Sequence, residues 1–239
     1  MVASYPRSVF QTHWNPGALP AKLALNFQKF APGWTRRVFS DSECLDFLRL
    51  HFQQPVTDLF TRLQHGAHKA DLFRYAVMYI HGGVYLDIKT ELIAPLDWVL
   101  DNASTFLVLS FFRDTVYNGI MATPSRQPLF YEMVAFMVAQ GTTTALQHYN
   151  YNIKQLYASV RVCLPSWDTR AKKCAGAHTC SINGTVLRFA VEELRDNAEC
   201  YDGPDRYKMC VFVTDRCEKV FKVRYADYPF KRSRTLALQ

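Results

Sequence analysis

The chain predicts an α/β fold, and three observations carry that reading. A strand, helix, strand, helix order opens the sequence, a long amphipathic helix is closed by Gly82-Gly83 with an apolar run directly behind it, and the C-terminal third holds short β-type runs. At 239 residues and 49% hydrophobic, the chain is large enough to bury one enzyme-sized core. No Pro/Ser/Gly-rich linker, low-complexity run or internal repeat interrupts it, so 1–239 is expected to be a single domain.

Ser8 to Thr12 reads as the first strand, Pro20 to Phe30 as a helix and Thr35 to Phe39 as the second strand. Ser40 and Glu43 form a capping box for a helix over Asp41 to Phe52, because each side chain can satisfy the other residue's free backbone amide. This order begins a Rossmann-like nucleotide-binding half, while the missing glycine fingerprint of dinucleotide binders argues against a dehydrogenase. Further along, Ser104 to Phe112 reads as a strand, and Pro128 to Ala139 and Asn150 to Val162 read as structural helices. Val186 to Phe189, Met209 to Thr214 and Val220 to Tyr225 are β-type runs, the last two joined as a hairpin through Asp215-Arg216.

The stretch from Ala67 to Ile88 is the most informative. Leu72, Ala76, Tyr79 and Ile80 recur at helical spacing and mark a buried face, with Asp71, Arg74 and Tyr75 on a neighbouring one. Gly82 and Gly83 end the helix, since glycine tolerates the left-handed conformation of a last turn. Val84 to Ile88 follows as a strand with Asp87 near its C-terminal end, which is where open α/β sheets bind ligands. Taken singly, Asp71 and Arg74 read as an ordinary i, i+3 ion pair and Asp87 as a strand terminator. Taken together with their spacing intact, they read as a ligand site.

This segment, Ala70-Asp71-Leu72-Phe73-Arg74-Tyr75 followed by Tyr79-Ile80-His81-Gly82-Gly83-Val84-Tyr85-Leu86-Asp87, resembles the core signature of the DXD-containing sugar transferases. That family is related to yeast α-1,6-mannosyltransferase and to the α-1,4-galactosyl- and N-acetylglucosaminyltransferases. Gln11-Thr12 with Trp14 is similar to the His-Gln-Thr-Trp that opens the family's domain, with Phe10 in the histidine place and His13 in the tryptophan place. Glu91 to Leu96 and Val116 to Ala122 resemble later blocks, so the resemblance runs from Tyr5 to Ala139. It implies a GT-A type, Rossmann-like nucleotide-sugar-binding domain with a β-rich C-terminal extension, in which 1–139 forms the donor-binding core and 140–239 the acceptor-side and C-terminal part. The implied reaction is retaining transfer from a GDP- or UDP-linked sugar, with a lean to GDP-mannose, to a glycan hydroxyl; a degenerate nucleotide- or glycan-binding relative is the alternative. By the same resemblance Asp87 is the catalytic and metal-holding aspartate. Gln11, Thr12, Asp71, Arg74, Tyr75, Gly82, Gly83, Tyr85 and Lys89 join it around the donor. Gly82 and Gly83 allow close backbone approach. Asn118 is either an acceptor-side polar contact or a plain turn residue before Gly119.

The family's cofactor is Mn²⁺ or Mg²⁺ on the donor diphosphate, and Lys89 counts against it, because a lysine stands where the second aspartate belongs. Strand alternation would put Asp87 and Lys89 on one face. Glu91 continues the alternation but lies roughly 13 Å along a strand, too far to replace the missing ligand.

The net charge of +7 would suit nucleic acid, an anionic surface or a phosphate-bearing ligand. The basic residues are dispersed apart from Arg36-Arg37, Lys172-Lys173 and the tail Lys231-Arg232-Ser233-Arg234, and no nucleic-acid module contains them, so no nucleic-acid partner is expected. No apolar run reaches the roughly 20 residues a bilayer span needs, and Met1 to Gln11 is too short and polar for a signal peptide. A cytoplasmic enzyme is expected, with a Golgi or secretory-lumen enzyme as the alternative if an N-terminal anchor has been removed; peripheral membrane contact stays open. Six of the seven cysteines lie between Cys163 and Cys217 at spacings unlike a zinc ribbon, and the odd count favours mainly reduced thiols. The sequons at Asn102 and Asn183 read as chance occurrences.

Overall fold

The computed structural model describes residues 6–100, 105–110, 112, 114–164, 178–182, 185–194, 210–215 and 218–224. Lys172-Lys173, the basic tail, the sequon residues Asn102 and Asn183, and Met209, Arg216 and Tyr225 of the expected C-terminal runs lie outside the described residues.

The chain runs β1 (Ser8–Thr12), α1 (Ala21–Phe30), β2 (Thr35–Phe39), α2 (Asp41–His51), α3 (Gln54–Arg62), α4 (Gly66–His81), β3 (Gly83–Leu86), β4 (Thr90–Leu92) and α5 (Leu96–Val99). It continues through β5 (Thr105–Leu109), β6 (Val116–Thr123), α6 (Pro128–Gln147), α7 (Tyr151–Val160), β7 (His178–Ile182), β8 (Thr185–Leu194), β9 (Cys210–Asp215) and β10 (Glu218–Arg224). Among the described residues all the strands join one 10-stranded sheet in the order β2-β1-β3-β6-β5-β8-β9-β10-β4, with β7 attached to β8. Strands β2, β1 and β3 are parallel, β6 is antiparallel to both β3 and β5, and β5 pairs β8 in parallel. The short β4, which follows β3 in the chain, pairs β10 at the far end of the ladder, so the sheet curls back on itself.

Two apolar layers cover the two faces. Phe39, Phe73, Tyr75, Tyr85 and Phe130 centre the layer beneath α2, α3, α4, α6 and α7, while Val84, Leu86, Phe106, Ile120 and Phe221 centre the other. Each of these side chains is nearly or fully buried, and each contributes on the order of 2 kcal/mol through the water it sheds. The capping box forms as expected: Ser40 N donates to Glu43 Oε2 at 2.8 Å and Glu43 N donates to Ser40 Oγ at 3.3 Å.

Several expectations need correction. Helix α3 went unanticipated, although Pro55 sits at its first turn, where the absent N–H is harmless. The run from Val84 to Ile88 stops being a strand at Leu86, because Thr90 N donates to Asp87 O at 2.8 Å and turns the chain towards β4. Val116 to Thr123 is a central strand buried along its whole length, and β8 extends well beyond Phe189. Helix α6 continues past Ala139 through a break at Gly141, whose φ of 66° a glycine adopts readily. The expectation of mainly reduced cysteines fails at one pair: Cys163 and Cys180 form a disulfide with a Cα–Cα distance of 5.6 Å, while Cys44 is free and buried.

Candidate active site

Asp87 leaves the C-terminal end of β3 with its backbone N donating to Gly119 O at 2.7 Å. Its carboxylate is enclosed by donors from three directions. Arg74 Nη2 lies 3.1 Å from Oδ1, Lys89 Nζ lies 3.5 Å from Oδ2, and Tyr117 OH donates to Oδ2 at 3.4 Å. Burial alone would raise the carboxyl pKa, but Arg74, Lys89 and the hydrogen bonds outweigh it and hold the group below the usual carboxylate range. Lys89 reaches Asp87 because of the turn at 87–90, and the strand alternation expected from the sequence is absent there.

Arg74 is buried on α4 and fully engaged. Its Nε donates to Ala70 O at 3.2 Å and its Nη1 to Asn118 Oδ1 at 2.8 Å, Nη2 pairs with Asp71 Oδ1 at 3.3 Å, and the guanidinium lies 4.6 Å from the Tyr85 ring centroid. Burial opposes its charge, yet Asp87, Tyr85 and Asp71 outweigh that, and its pKa is raised. Asn118 Nδ2 donates to Asp71 Oδ1 and to Tyr75 OH, both at 2.9 Å. Asp71 Oδ2 accepts from Asn152 Nδ2 on α7 at 2.6 Å. Burial first, and Asp71 second, push the Tyr75 hydroxyl pKa up, so this ring stays protonated.

Asn118 is thus no turn residue, and its contacts are all inside this network. Asn118 faces α4 as Val116 does, and the register of β5 on β6 slips between Phe106↔Ala122 and Val108↔Tyr117, a bulge that contains it. Gly119 sits in the same bulge, where an added Cβ would lie 2.7 Å from Asp87 Oδ2.

The other expected residues scatter. Thr12 Oγ1 and Tyr85 OH are 3.0 Å apart beside the site, and burial raises the Tyr85 pKa. Gln11 points to the other face of the sheet, where Arg36 Nε donates to its Oε1 at 2.6 Å. Gly82 and Gly83 lie at the opposite end of β3 from Asp87, and their close approach is to protein backbone. An added Cβ would meet Thr123 O at 2.7 Å from Gly82 and Ser8 O at 2.6 Å from Gly83, and their φ values of 66° and 85° favour glycine as well. Tyr75 and Asp71 are buried behind Arg74. Tyr117, Gly119 and Asn152 were missed: nothing in their local spacing links them to Asp87, and only the pairing of β6 with β3 and the docking of α7 bring them in.

A parallel β2-β1-β3 unit, an antiparallel β6 beside it and an aspartate at the end of β3 facing an arginine from the preceding helix make up a GT-A type α/β fold. The structure is similar to that of PaToxG Glycosyltransferase, with a TM-score of 0.52 over 70% of this chain and 72% of that one at 11% identity, a likeness in fold. Residues 22–106 match the family described as glycosyltransferase sugar-binding region containing DXD motif. It is 30% identical over 132 residues to initiation-specific alpha-1,6-mannosyltransferase of Candida albicans, covering 51% of this chain and 34% of that protein. It is also 30% identical over 116 residues to an uncharacterized glycosyltransferase of Acanthamoeba polyphaga mimivirus, covering 44% of this chain and 43% of that one. The chain therefore spans less than half the length of these relatives. The fold likeness and the sequence match thus concern the same part of the chain, a GT-A type α/β unit containing a stretch similar to the DXD sugar-binding region.

A DXD region implies a divalent ion, and the side chains around Asp87 do not fit one. Lys89 replaces the second aspartate, and both Asp87 oxygens already face cationic or hydroxyl donors. Glu91 is carried away onto β4, opposite Lys222 of β10. Among the described residues no cluster of three His, Cys, Asp or Glu side chains is placed to hold a metal, and no helix is long and apolar enough to cross a membrane.

Proposed function

We propose that this chain is a retaining glycosyltransferase that moves a sugar from a UDP- or GDP-linked donor to a glycan hydroxyl, with GDP-mannose favoured by the mannosyltransferase names of its yeast relatives. The observation that carries the reading is the Arg74-Asp87-Lys89 constellation at the C-terminal end of β3. In the reaction the bond from the anomeric carbon to the diphosphate breaks, the leaving diphosphate takes the electron pair, and the acceptor oxygen bonds to the same face of the sugar as its proton passes to the departing phosphate oxygen. Negative charge grows on the diphosphate, so fixed cations beside it lower the barrier. Arg74 and Lys89 are such cations, and Asp87 holds both at the strand end. The Lys89 ammonium takes part of the charge-neutralising work that a second carboxylate and its metal would do elsewhere.

A catalytically degenerate relative that only binds nucleotide or glycan is the second reading, favoured by the saturation of both Asp87 oxygens by protein donors. Thermal unfolding with UDP, GDP, UDP-glucose, UDP-N-acetylglucosamine and GDP-mannose separates the two when paired with a donor-hydrolysis assay. A ligand at a hundred times its Kd raises stability by about 2.7 kcal/mol. Stabilisation with release of free sugar supports the enzyme, and stabilisation without release supports the binding relative. Residence in an oxidising lumen is part of the proposal, supported by the Cys163–Cys180 disulfide, which a reducing cytoplasm would disfavour.

A further inference from the structure

Asn152 belongs to α7, beyond the stretch that matches the DXD family and in a helix whose sequence reads as structural. It is 1% exposed, and its Nδ2 donates to Asp71 Oδ2 at 2.6 Å. The other Asp71 oxygen is engaged by Asn118 Nδ2 at 2.9 Å and Arg74 Nη2 at 3.3 Å, and the same Nη2 lies 3.1 Å from Asp87. A continuous polar chain therefore runs from α7 through α4 to the end of β3.

We infer that Asn152 is a positioning residue for the transfer reaction: it anchors the Asp71 carboxylate so that Arg74 is presented to Asp87 and the donor diphosphate at a fixed angle. The inference rests on the glycosyltransferase reading above. Two features separate this role from plain packing. Asn152 Oδ1 is buried with no hydrogen-bond partner among the described residues, a desolvation cost that an apolar side chain of the same size would not incur. Buried ion pairs also add little net stability over apolar substitutes, so a buried Asp71-Arg74 pair with two asparagines attached is poorly explained by stability alone. Without Asn152, Asp71 Oδ2 has no donor from α7. The carboxylate is then free to turn both oxygens to Arg74, and a bidentate pair of that kind draws the guanidinium away from Asp87.

The test is hydrolysis of UDP-glucose, UDP-N-acetylglucosamine and GDP-mannose by the wild type, Asn152→Ala, Asn152→Asp and Lys154→Ala, an exposed control on the same helix. For whichever donor the wild type turns over, Asn152→Ala is expected to lose kcat by about ten- to a hundredfold, the scale of a small misplacement in a site, with KM changed by less than about threefold. Asn152→Asp sets a second carboxyl against Asp71. It should be as poor as Asn152→Ala near neutral pH and recover as the pH falls, when one shared proton restores the missing donor. Asn152→Ala should show no such recovery, and Lys154→Ala should match the wild type. An unchanged kcat in folded Asn152→Ala, or no acid recovery in Asn152→Asp, overturns the inference. Loss of the folded state in both variants marks Asn152 as structural and overturns it equally. A wild type that hydrolyses none of the three donors brings down the glycosyltransferase reading and the inference with it, and that failure is read on the wild type alone.

Discussion

Arg74 and Asp87 close a buried ion pair of 3.1 Å between the middle of α4 and the end of β3, and the same guanidinium nitrogen stays 3.3 Å from Asp71. One cation thereby serves two carboxylates, so the charge at the strand end depends on how both are held. Removing either partner leaves a buried charge without full compensation, and substitutions here are expected to act on activity and stability together.

Asp87→Asn preserves shape and removes the negative charge. Donor hydrolysis should fall by about a hundredfold or more while circular dichroism stays native. The pH dependence has a definite sign: a carboxyl held below its unfolded value of about 4 contributes stability that is present above that value and is lost as pH falls through its lower folded-state value. Urea unfolding from pH 6 to pH 2 should therefore show a steeper acid loss in the wild type than in Asp87→Asn. Equal slopes, or wild-type turnover in the variant, would count against the assignment.

Lys89 stands where an Asp-X-Asp motif beginning at Asp87 would place its second aspartate. Activity should persist in excess EDTA and disappear in Lys89→Ala, because the ammonium beside Asp87 is covalently part of the chain and cannot be chelated. Complete loss in EDTA, with Lys89→Ala behaving like the wild type once Mn²⁺ is restored, would refute the charge substitution.

Gly119→Ala places a Cβ against the Tyr117 ring and 2.7 Å from Asp87 Oδ2. Forced repacking of this kind costs about 1–3 kcal/mol, visible as a lower urea midpoint. Its activity should fall further than that of Tyr117→Phe, which removes the hydroxyl and its 3.4 Å contact to Asp87 but leaves the ring in place. The reverse order would show that the bulge is more yielding than its contacts imply.

The Cys163–Cys180 bridge closes a loop with a sequence separation of 17, for which the chain-entropy estimate is about 3 kcal/mol. Dithiothreitol or Cys163→Ser should lower the unfolding midpoint accordingly, and non-reducing peptide mapping should recover the linked pair. If both thiols alkylate freely in unreduced protein, the oxidising location loses its support.

The α/β class, the capping box at Ser40, the helix ending at Gly82 and the juxtaposition of Asp71, Arg74 and Asp87 were all legible in the sequence, because each depends on spacing within a few turns or on a local hydrogen bond. The turn at Asp87–Thr90 was not, since a short apolar run does not reveal where pairing stops and Lys89 leaves the strand direction. Nor were the roles of Tyr117, Asn118, Gly119 and Asn152. These residues reach the site through a bulged antiparallel pairing and through a helix docked far along the chain, and contacts of that kind are selected by the packing of the whole sheet and its helices. The sequence by itself determined which charged groups this protein owns and on which elements they ride; the tertiary structure decided which of them share a proton-donor network, because burial makes every unpaired polar group costly and only the assembled fold supplies the partners.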